Sequence, residues 1–349
     1  MRPGNLGRPT RRGLLAVGGA TALGAALTAC GGGAKGGAKG GGTAAGGGSG
    51  GPWSFTDDRP KQLSAPAAPG RIVAFTGTAA ALADFGLGER IVGVFGETKG
   101  ADGRPDPQAG DLDVSRVAVI GNAYGEFDVE RYAALRPDLL VTHMYDPGAL
   151  WYVPEESKDK ILAINPNVAA VSVARVPMTQ PIERYAALAA SLGADLNAEK
   201  VTAAKARFEA AAESVRQAAK ASGGVRVLAC SASPNLFYVS NPKVSADLMY
   251  FAQLGVDLVV PEKTDGGDYF EGLSWENAGK YRADLLLLDE RGTSLQPKDL
   301  TGKPTWAQLP AVRAGRITPW SAVPRFSYAG AAPLLERLAE AIRSTRRLD

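Results

Sequence analysis

The sequence contains one histidine, His143, and two cysteines, Cys30 and Cys230, among its 349 residues. A transition metal held directly by protein side chains needs several histidine, cysteine or carboxylate ligands that converge on one point. One histidine does not supply such a set, and two cysteines cannot build a disulfide framework. We therefore expect no resident metal, no covalent cofactor and no disulfide-stapled fold.

The sequence also lacks a strong excess of either charge. Its 39 Lys and Arg residues nearly match its 36 Asp and Glu residues, which leaves a formal net charge of +3. A nucleic-acid-binding surface normally appears as a marked basic excess. We therefore expect no nucleic-acid partner.

The motifs of common enzyme classes are missing too. Beyond the glycine-rich tract of residues 31–51, there is no Gly-x-Ser-x-Gly elbow, no His-Glu-x-x-His and no phosphate-binding Gly-x-x-x-x-Gly-Lys-Ser/Thr. That tract has low complexity and follows no predicted strand, so it is not a nucleotide loop. A Ser/His/Asp site could form only through His143. We expect a protein that is not an enzyme, with a secreted lipoprotein enzyme as the distant alternative.

The segment 1–29 has the order of an export signal. Basic residues, among them Arg11 and Arg12, precede an apolar run from Gly13 to Ala26 that is too short for a typical spanning helix. The run ends in Leu-Thr-Ala-Cys at Cys30, which resembles the lipobox of bacterial lipoproteins. We expect cleavage before Cys30, lipid on its thiol, and anchoring to the outer face of the cytoplasmic membrane. The Arg pair favours twin-arginine export, and general secretion stays open.

The rest of the chain divides by composition into four parts. Residues 30–52 are mostly Gly and Ala and predict a flexible tether. Residues 53–180 form a predicted N-terminal lobe, and 223–349 a C-terminal lobe. Residues 181–222 form a connecting segment that contains one long predicted helix of about 24 residues, hence about 36 Å.

Both lobes show short, continuously apolar strands alternating with helices. Examples are the strands at 72–75, 139–142 and 285–288. Such strands favour mainly parallel sheets that are covered on both faces. We therefore predict an α/β fold with two Rossmann-like lobes, joined by one long backbone helix.

Several stretches resemble one family. Residues 53–59 (WSFTDDR) are similar to its opening hairpin, residues 128–140 (DVERYAALRPDLL) to its helix–Pro-Asp–strand unit, and residues 273–277 (LSWEN) to the counterpart in its second lobe. The family is the helical-backbone class, class III, of substrate-binding proteins of ABC importers. Its members serve iron-siderophores, haem and cobalamin. The resemblance runs from about residue 53 to the end of the chain.

The resemblance implies a function and two docking residues. A monomer would bind its ligand between lobes that a stiff helix holds apart, and would then dock on a membrane permease. One glutamate from each lobe, by position Glu130 and Glu276, would pair with permease arginines. Each glutamate also starts a predicted helix, where the helix dipole favours a carboxylate for purely structural reasons.

Aromatic residues follow the predicted strands, where open α/β sheets bind ligands. They suit a bulky, partly apolar ligand, and Arg325 could meet an anionic or carbonyl-rich face of it. The predicted ligand-binding residues are Tyr124, Tyr145, Trp151, Tyr238, Tyr269, Trp320, Arg325, Phe326 and Tyr328.

A ferric siderophore satisfies both conditions, and it would bring the iron with it. We prefer a hydroxamate, because the predicted cleft has few cationic residues for a highly charged catecholate. Haem, with His143 or Tyr145 as axial ligand, and cobalamin stay open.

Overall fold

The computed structural model describes residues 51–100 and 102–348. The predicted signal segment 1–29, the lipidation site Cys30 and nearly all of the predicted tether lie outside these residues. Within the described part of the chain, no helix is both long and apolar enough to cross a membrane.

The described chain opens with an antiparallel hairpin and continues into the N-lobe. The hairpin strands are β1 (Trp53–Thr56) and β2 (Gln62–Ala65). The N-lobe strands are β3 (Ile72–Phe75), β4 (Ile91–Phe95), β5 (Ala118–Val119), β6 (Leu139–Met144) and β7 (Val168–Ser172). Its helices are α1 (Thr76–Leu82), α2 (Val129–Ala134) and α3 (Lys158–Ile164).

The N-lobe sheet has the order β5-β4-β3-β6-β7, and all of its neighbouring strands are parallel. Strands β3 and β6 are buried along their whole length, as the apolar residues that dominate both of them predict. Asp128 starts α2, because its carboxylate accepts a hydrogen bond from the backbone N–H of Arg131 at 2.8 Å.

Two helices connect the lobes. Helix α4 (Thr179–Ser191) is followed by α5 (Glu199–Ala221), a helix of 23 residues and therefore about 35 Å long. Helix α5 buries one stripe of side chains, including Val201, Phe208 and Val215, and leaves its charged residues in solvent.

The C-lobe repeats the alternation of strands and helices. Its strands are β8 (Arg226–Ala232), β9 (Leu236–Ser240), β10 (Asp257–Leu258), β11 (Phe270–Ser274), β12 (Leu285–Asp289) and β13 (Ile317–Trp320). Its helices are α6 (Ala246–Gln253), α7 (Pro297–Leu300), α8 (Pro304–Gln308), α9 (Pro310–Arg313) and the long α10 (Tyr328–Ser344).

The C-lobe sheet is mixed. Strands β8, β12, β13 and β10 pair in parallel, whereas β9 runs antiparallel to both β8 and β11. The reversal follows from the short connection between β8 and β9, which leaves no room for a crossover helix. The helix expected after Ser274 is a single 3-10 turn, Trp275–Asn277, and the Ser274 side chain does not cap it.

One hydrophobic core runs through both lobes. Buried residues of β3 and β6 belong to the same cluster as those of β8 and β12, and the buried faces of α4, α5 and α10 join them. The expected α/β fold with two mainly parallel sheets and one long helix is therefore confirmed. The predicted lobe boundaries at residues 180 and 222 stay predictions.

Candidate ligand-binding site

A cavity lies between the lobes, at the carboxyl ends of their strands. Tyr145 and Asp146 directly follow β6, Arg291 follows β12 by two residues, and Trp320 is the last residue of β13. Parallel sheets place the ends of such strands at one edge. Both lobes thus contribute side chains to one cavity.

The cavity walls are largely aromatic, and the rings support one another. The ring centroids of Tyr145 and Trp151 lie 4.6 Å apart in an edge-to-face arrangement. Tyr145 also lies 6.1 Å from the ring of Tyr269, which belongs to the other lobe. Such contacts hold large apolar faces in fixed positions against a bound molecule.

Of the nine predicted ligand-binding residues, the structure brings together five at this cavity: Tyr145, Trp151, Tyr269, Trp320 and Phe326. A sixth, Tyr124, is 73% exposed and extends the aromatic surface outward. Its ring lies 5.8 Å from that of Trp151.

The other three predicted residues lie outside the cavity lining. Tyr238 packs against Phe270 on the antiparallel edge of the C-lobe sheet, with ring centroids 5.1 Å apart. Tyr328 starts α10 and packs against Phe85 and Phe208, so it contributes to the core between the lobes. Whether the nine residues bind a ligand stays a prediction.

Arg325 is the third of these residues, and it is engaged within the protein. Its Nε lies 3.1 Å from the carboxylate of Asp84, and both side chains are mostly buried. Their sequence positions, far apart along the chain, gave no sign of this pairing.

A segment of the C-lobe crosses to the N-lobe along one side of the cavity. The hydroxyl of Tyr269 donates a hydrogen bond to the backbone carbonyl of Tyr145 at 2.8 Å. The guanidinium of Arg175 donates to the carbonyl of Gly267, also at 2.8 Å, and lies 3.5 Å from Asp146. These contacts fix Tyr269 as a wall of the cavity.

Acidic groups outnumber cationic ones in the cavity lining, because Asp146 and Asp247 both belong to it. Of the described residues that line the cavity, Arg291 alone is cationic. Arg291 pairs with the buried Asp289 of β12 at 2.7 Å. The positive charge is therefore already matched before any ligand arrives.

Two polar groups near the cavity have no hydrogen-bond partner among the described residues, and both are buried. One is the hydroxyl of Tyr145, which lines the cavity; burial raises its pKa. The other is Nε2 of His143, whose Nδ1 lies 2.5 Å from the hydroxyl of Tyr185. Burial lowers the pKa of His143 to about 3, so its ring is neutral at physiological pH. His143 does not line the cavity.

Two carboxylates of the cavity were missed by sequence reasoning. Asp146 lies at its edge beside Arg175, and Asp247 lies within it. The indole Nε1 of Trp320 donates a hydrogen bond to Asp247 at 2.6 Å. Asp247 lies in the first turn of α6, where an acidic residue is expected for helix stability alone, so no sequence signal separated it from ordinary helix starts.

The two predicted docking residues are exposed, one on each lobe. Glu130 lies in the first turn of α2, and Glu276 in the 3-10 turn that follows β11. The pKa of Glu276 is lowered by its own backbone N–H and by the Ser274 hydroxyl, so its carboxylate is charged at neutral pH. Both side chains are open to solvent, and their docking role stays a prediction.

Similar proteins were found by fold and by sequence. The structure superposes on DesE, a ferric-siderophore receptor protein from Streptomyces coelicolor, with a TM-score of 0.81 and 50% identity over 85% of this chain and 100% of that one. It is also similar to the triscatecholate siderophore binding protein FeuA from Bacillus subtilis, at TM-score 0.61 and 16% identity over 83% and 97% of the two chains. The heme-binding protein RhuT from Roseiflexus gives a TM-score of 0.55 and 20% identity over 78% and 97%.

The last two likenesses, at low identity, show a shared fold. A search of curated proteins finds no match. The sequence pattern of the periplasmic binding proteins matches residues 72–323, which include the sheets of both lobes and all the cavity-lining residues except Pro324 and Phe326. The resemblance seen in the sequence is thereby confirmed: the chain belongs to the periplasmic-binding-protein family.

Proposed function

We propose that this protein captures a ferric siderophore outside the cytoplasmic membrane and delivers it to an ABC importer. The observation that carries the proposal is the aromatic cavity between two lobes that share one core. Such walls suit a bulky, partly apolar metal complex. DesE, which shares 50% sequence identity with this chain, is a ferric-siderophore receptor, and this supports the same role here. Iron enters only as part of the bound siderophore.

The charge of the cavity favours a hydroxamate siderophore. A ferric tris-catecholate is a trianion, whereas the core of a ferric tris-hydroxamate is neutral. A buried trianion needs several unpaired cations around it. The cationic residue of the described cavity lining, Arg291, is already paired with Asp289. The neutral complex therefore fits this cavity better.

Haem is the competing ligand. A tyrosinate axial ligand would require Tyr145 to lose its proton, and burial raises the pKa of Tyr145. His143 is buried away from the cavity lining. Both facts disfavour haem.

The proposal includes the location of the protein at the outer face of the cytoplasmic membrane. Lipid on Cys30 and the glycine-rich tether of residues 30–52 would keep a monomer beside its permease, where Glu130 and Glu276 would dock. A Cys30→Ser variant tests the anchor. We expect the variant protein to appear in the culture medium, while the parent stays with the membrane fraction.

The ligand is tested by a fluorescence titration, because Trp151 and Trp320 line the cavity. The mature protein is titrated with a ferric tris-hydroxamate, a ferric tris-catecholate, haem and cobalamin. We expect the hydroxamate to quench the tryptophan signal with the lowest Kd and without turnover. A tighter catecholate would overturn the hydroxamate preference. Tighter haem or cobalamin, or hydrolysis of the ligand, would overturn the siderophore role itself.

A further inference from the structure

A buried carboxylate faces the cavity that we assign to the siderophore. Asp247 is 1% exposed to solvent, yet it lines the cavity together with Trp320 and Arg291. An unpaired charge is expensive to remove from water. A carboxylate in a mainly aromatic cavity therefore needs an explanation.

The protein itself satisfies Asp247 only in part. Its Oδ2 accepts the indole hydrogen bond of Trp320 at 2.6 Å, and its position at the start of α6 gives it backbone N–H groups of Asp247 and Leu248. These donors are all neutral. Among the described residues, no cationic side chain lies within 4.0 Å of the Asp247 carboxylate. By contrast, the carboxylate of Asp289 pairs with Arg291.

The groups around Asp247 leave it without a counter-charge. Tyr145 faces it from the N-lobe with a neutral hydroxyl, because burial first and the nearby charge of Asp247 second raise the pKa of that hydroxyl. Asp146, at the edge of the cavity, is also acidic and lies beside Arg175. Burial dominates over the hydrogen bonds and raises the pKa of Asp247 to about 7.

We propose that Asp247 determines specificity by accepting a protonated amine of the ligand, so that the cavity prefers a ferric tris-hydroxamate with a terminal ammonium over the same complex with a neutral end. This inference rests on the proposed function. An ammonium would supply the positive charge that the cavity lacks, and a charge-assisted hydrogen bond in a buried place is strong. The purely structural role, orienting Trp320, needs only a hydrogen-bond acceptor.

A proton-linked binding reaction follows from this arrangement. At pH 7 a fraction of Asp247 carries a proton, and an arriving ammonium favours the ionised form. Binding of the cationic ligand then releases protons, and its affinity rises as the pH increases from 5 to 8. A ligand with a neutral end releases no proton at this site and shows no such rise.

The test compares two ligands and three proteins. The ligands are a linear ferric tris-hydroxamate with a free terminal amine and the same complex with that amine acetylated. The proteins are the parent, Asp247→Asn and the control Asp113→Asn, which alters an exposed carboxylate outside the cavity lining. Titration calorimetry in two buffers of different ionisation enthalpy gives the Kd and the number of protons released.

We expect the parent to prefer the free amine by about tenfold, the size of one charge-assisted hydrogen bond. Asp247→Asn keeps an acceptor for Trp320 and should lose both the preference and the proton release, while Asp113→Asn keeps them. Equal affinity of the parent for both ligands, with no proton release, would overturn the inference even if Asp247→Asn did not fold. If neither ligand bound the parent, the proposed function would fail instead.

Discussion

Asp84 of the N-lobe and Arg325 of the C-lobe form an ion pair across the lobe interface, with 3.1 Å between the carboxylate and Nε. Ser327 adds a hydrogen bond to the same carboxylate. The pair is almost out of water, since the two side chains are 4% and 14% exposed. Removing one partner of a buried pair leaves the other charge without compensation.

We therefore expect Arg325→Met to lower the free energy of unfolding by about 3–5 kcal/mol. The double variant Asp84→Asn with Arg325→Met should recover part of that loss, because no buried charge remains. Urea unfolding followed by circular dichroism measures both. The control is Arg207→Met, which breaks an exposed pair with Glu336 and should cost less than about 1 kcal/mol. Equal losses for the two single variants would contradict the role assigned to Arg325.

A glycine beside Arg325 shows how tightly this region is packed. A Cβ added at Gly110 would lie 1.4 Å from Nη1 of Arg325, and the φ angle of Gly110 is +52°. An added side chain would thus meet both a steric clash and an unfavourable backbone angle. The sequence around Gly110 gave no sign that Arg325 lies against it.

The buried carboxylate Asp247 should make stability depend on pH. Burial raises its pKa from 3.8 to about 7, so the native state binds this proton more tightly than the unfolded state. The ionised carboxylate of Asp247 therefore destabilises the native state. This destabilisation is absent below pH about 4, grows between pH about 4 and 7, and is complete above pH 7. Three pKa units correspond to at most about 4 kcal/mol.

We therefore expect Asp247→Asn to raise the Tm at pH 8 and to change it little at pH 4. Thermal unfolding at both values measures the difference. Asp113→Asn serves as the control, since Asp113 is a surface residue whose pKa is lowered by the Ser115 hydroxyl, and no gain at pH 8 is expected there. The idea fails if Asp247→Asn gains the same Tm at both pH values.

The unpartnered hydroxyl of Tyr145 should matter to the ligand and not to folding. Within the protein it is buried and forms no hydrogen bond to a described residue. Tyr145→Phe should leave the Tm of the empty protein unchanged or higher, because a desolvated group is removed. Affinity for a ferric tris-hydroxamate should fall about fivefold, as expected for one lost hydrogen bond.

Tyr132 offers a matched control for this variant. Its hydroxyl is also buried without a described partner, but it lies in the core of the N-lobe and does not line the cavity. Tyr132→Phe should therefore leave affinity unchanged. A loss of affinity in both variants would point to an indirect effect on the fold rather than to contact between Tyr145 and the ligand.

Substitution of the two exposed glutamates should impair docking on the permease and leave siderophore binding intact. The double variant Glu130→Ala with Glu276→Ala should bind the siderophore with unchanged Kd, since neither residue lines the cavity. Uptake of the radio-iron complex by cells should fall by about tenfold, the effect of losing charge pairs at an interface. Glu199→Ala with Glu209→Ala, on the exposed face of α5, is the control. Normal uptake in the variant that lacks both Glu130 and Glu276 would contradict their docking role.

The fold could be read from the sequence because its signals are local. Runs such as residues 285–288 are apolar throughout, which predicts a strand covered on both sides. The long helix α5 shows the composition of a helix over its whole length. The aromatic residues at strand ends could be expected at a cleft because the topology of parallel sheets brings those ends together.

The remaining features depend on contacts between distant segments. Nothing near Arg325 in the sequence shows that it will pair with Asp84. The sequence analysis therefore assigned the positive charge of Arg325 to ligand binding. Asp247 has the pattern of an ordinary helix start, and only the packing of Trp320 shows that it is buried. Tyr328 follows a strand as the cavity residues do, yet the first turn of α10 directs it to the core.

The core that continues from one lobe into the other through α4, α5 and α10 bears on the proposed docking to a permease. Because close-packed cores resist deformation, we expect lobes built on one core to keep nearly the same separation whether the cavity is empty or filled. Under the proposed function, an empty protein would then present Glu130 and Glu276 in the same places as a loaded one and would compete with it for the same permease. We therefore expect an excess of empty copies to slow iron import rather than speed it.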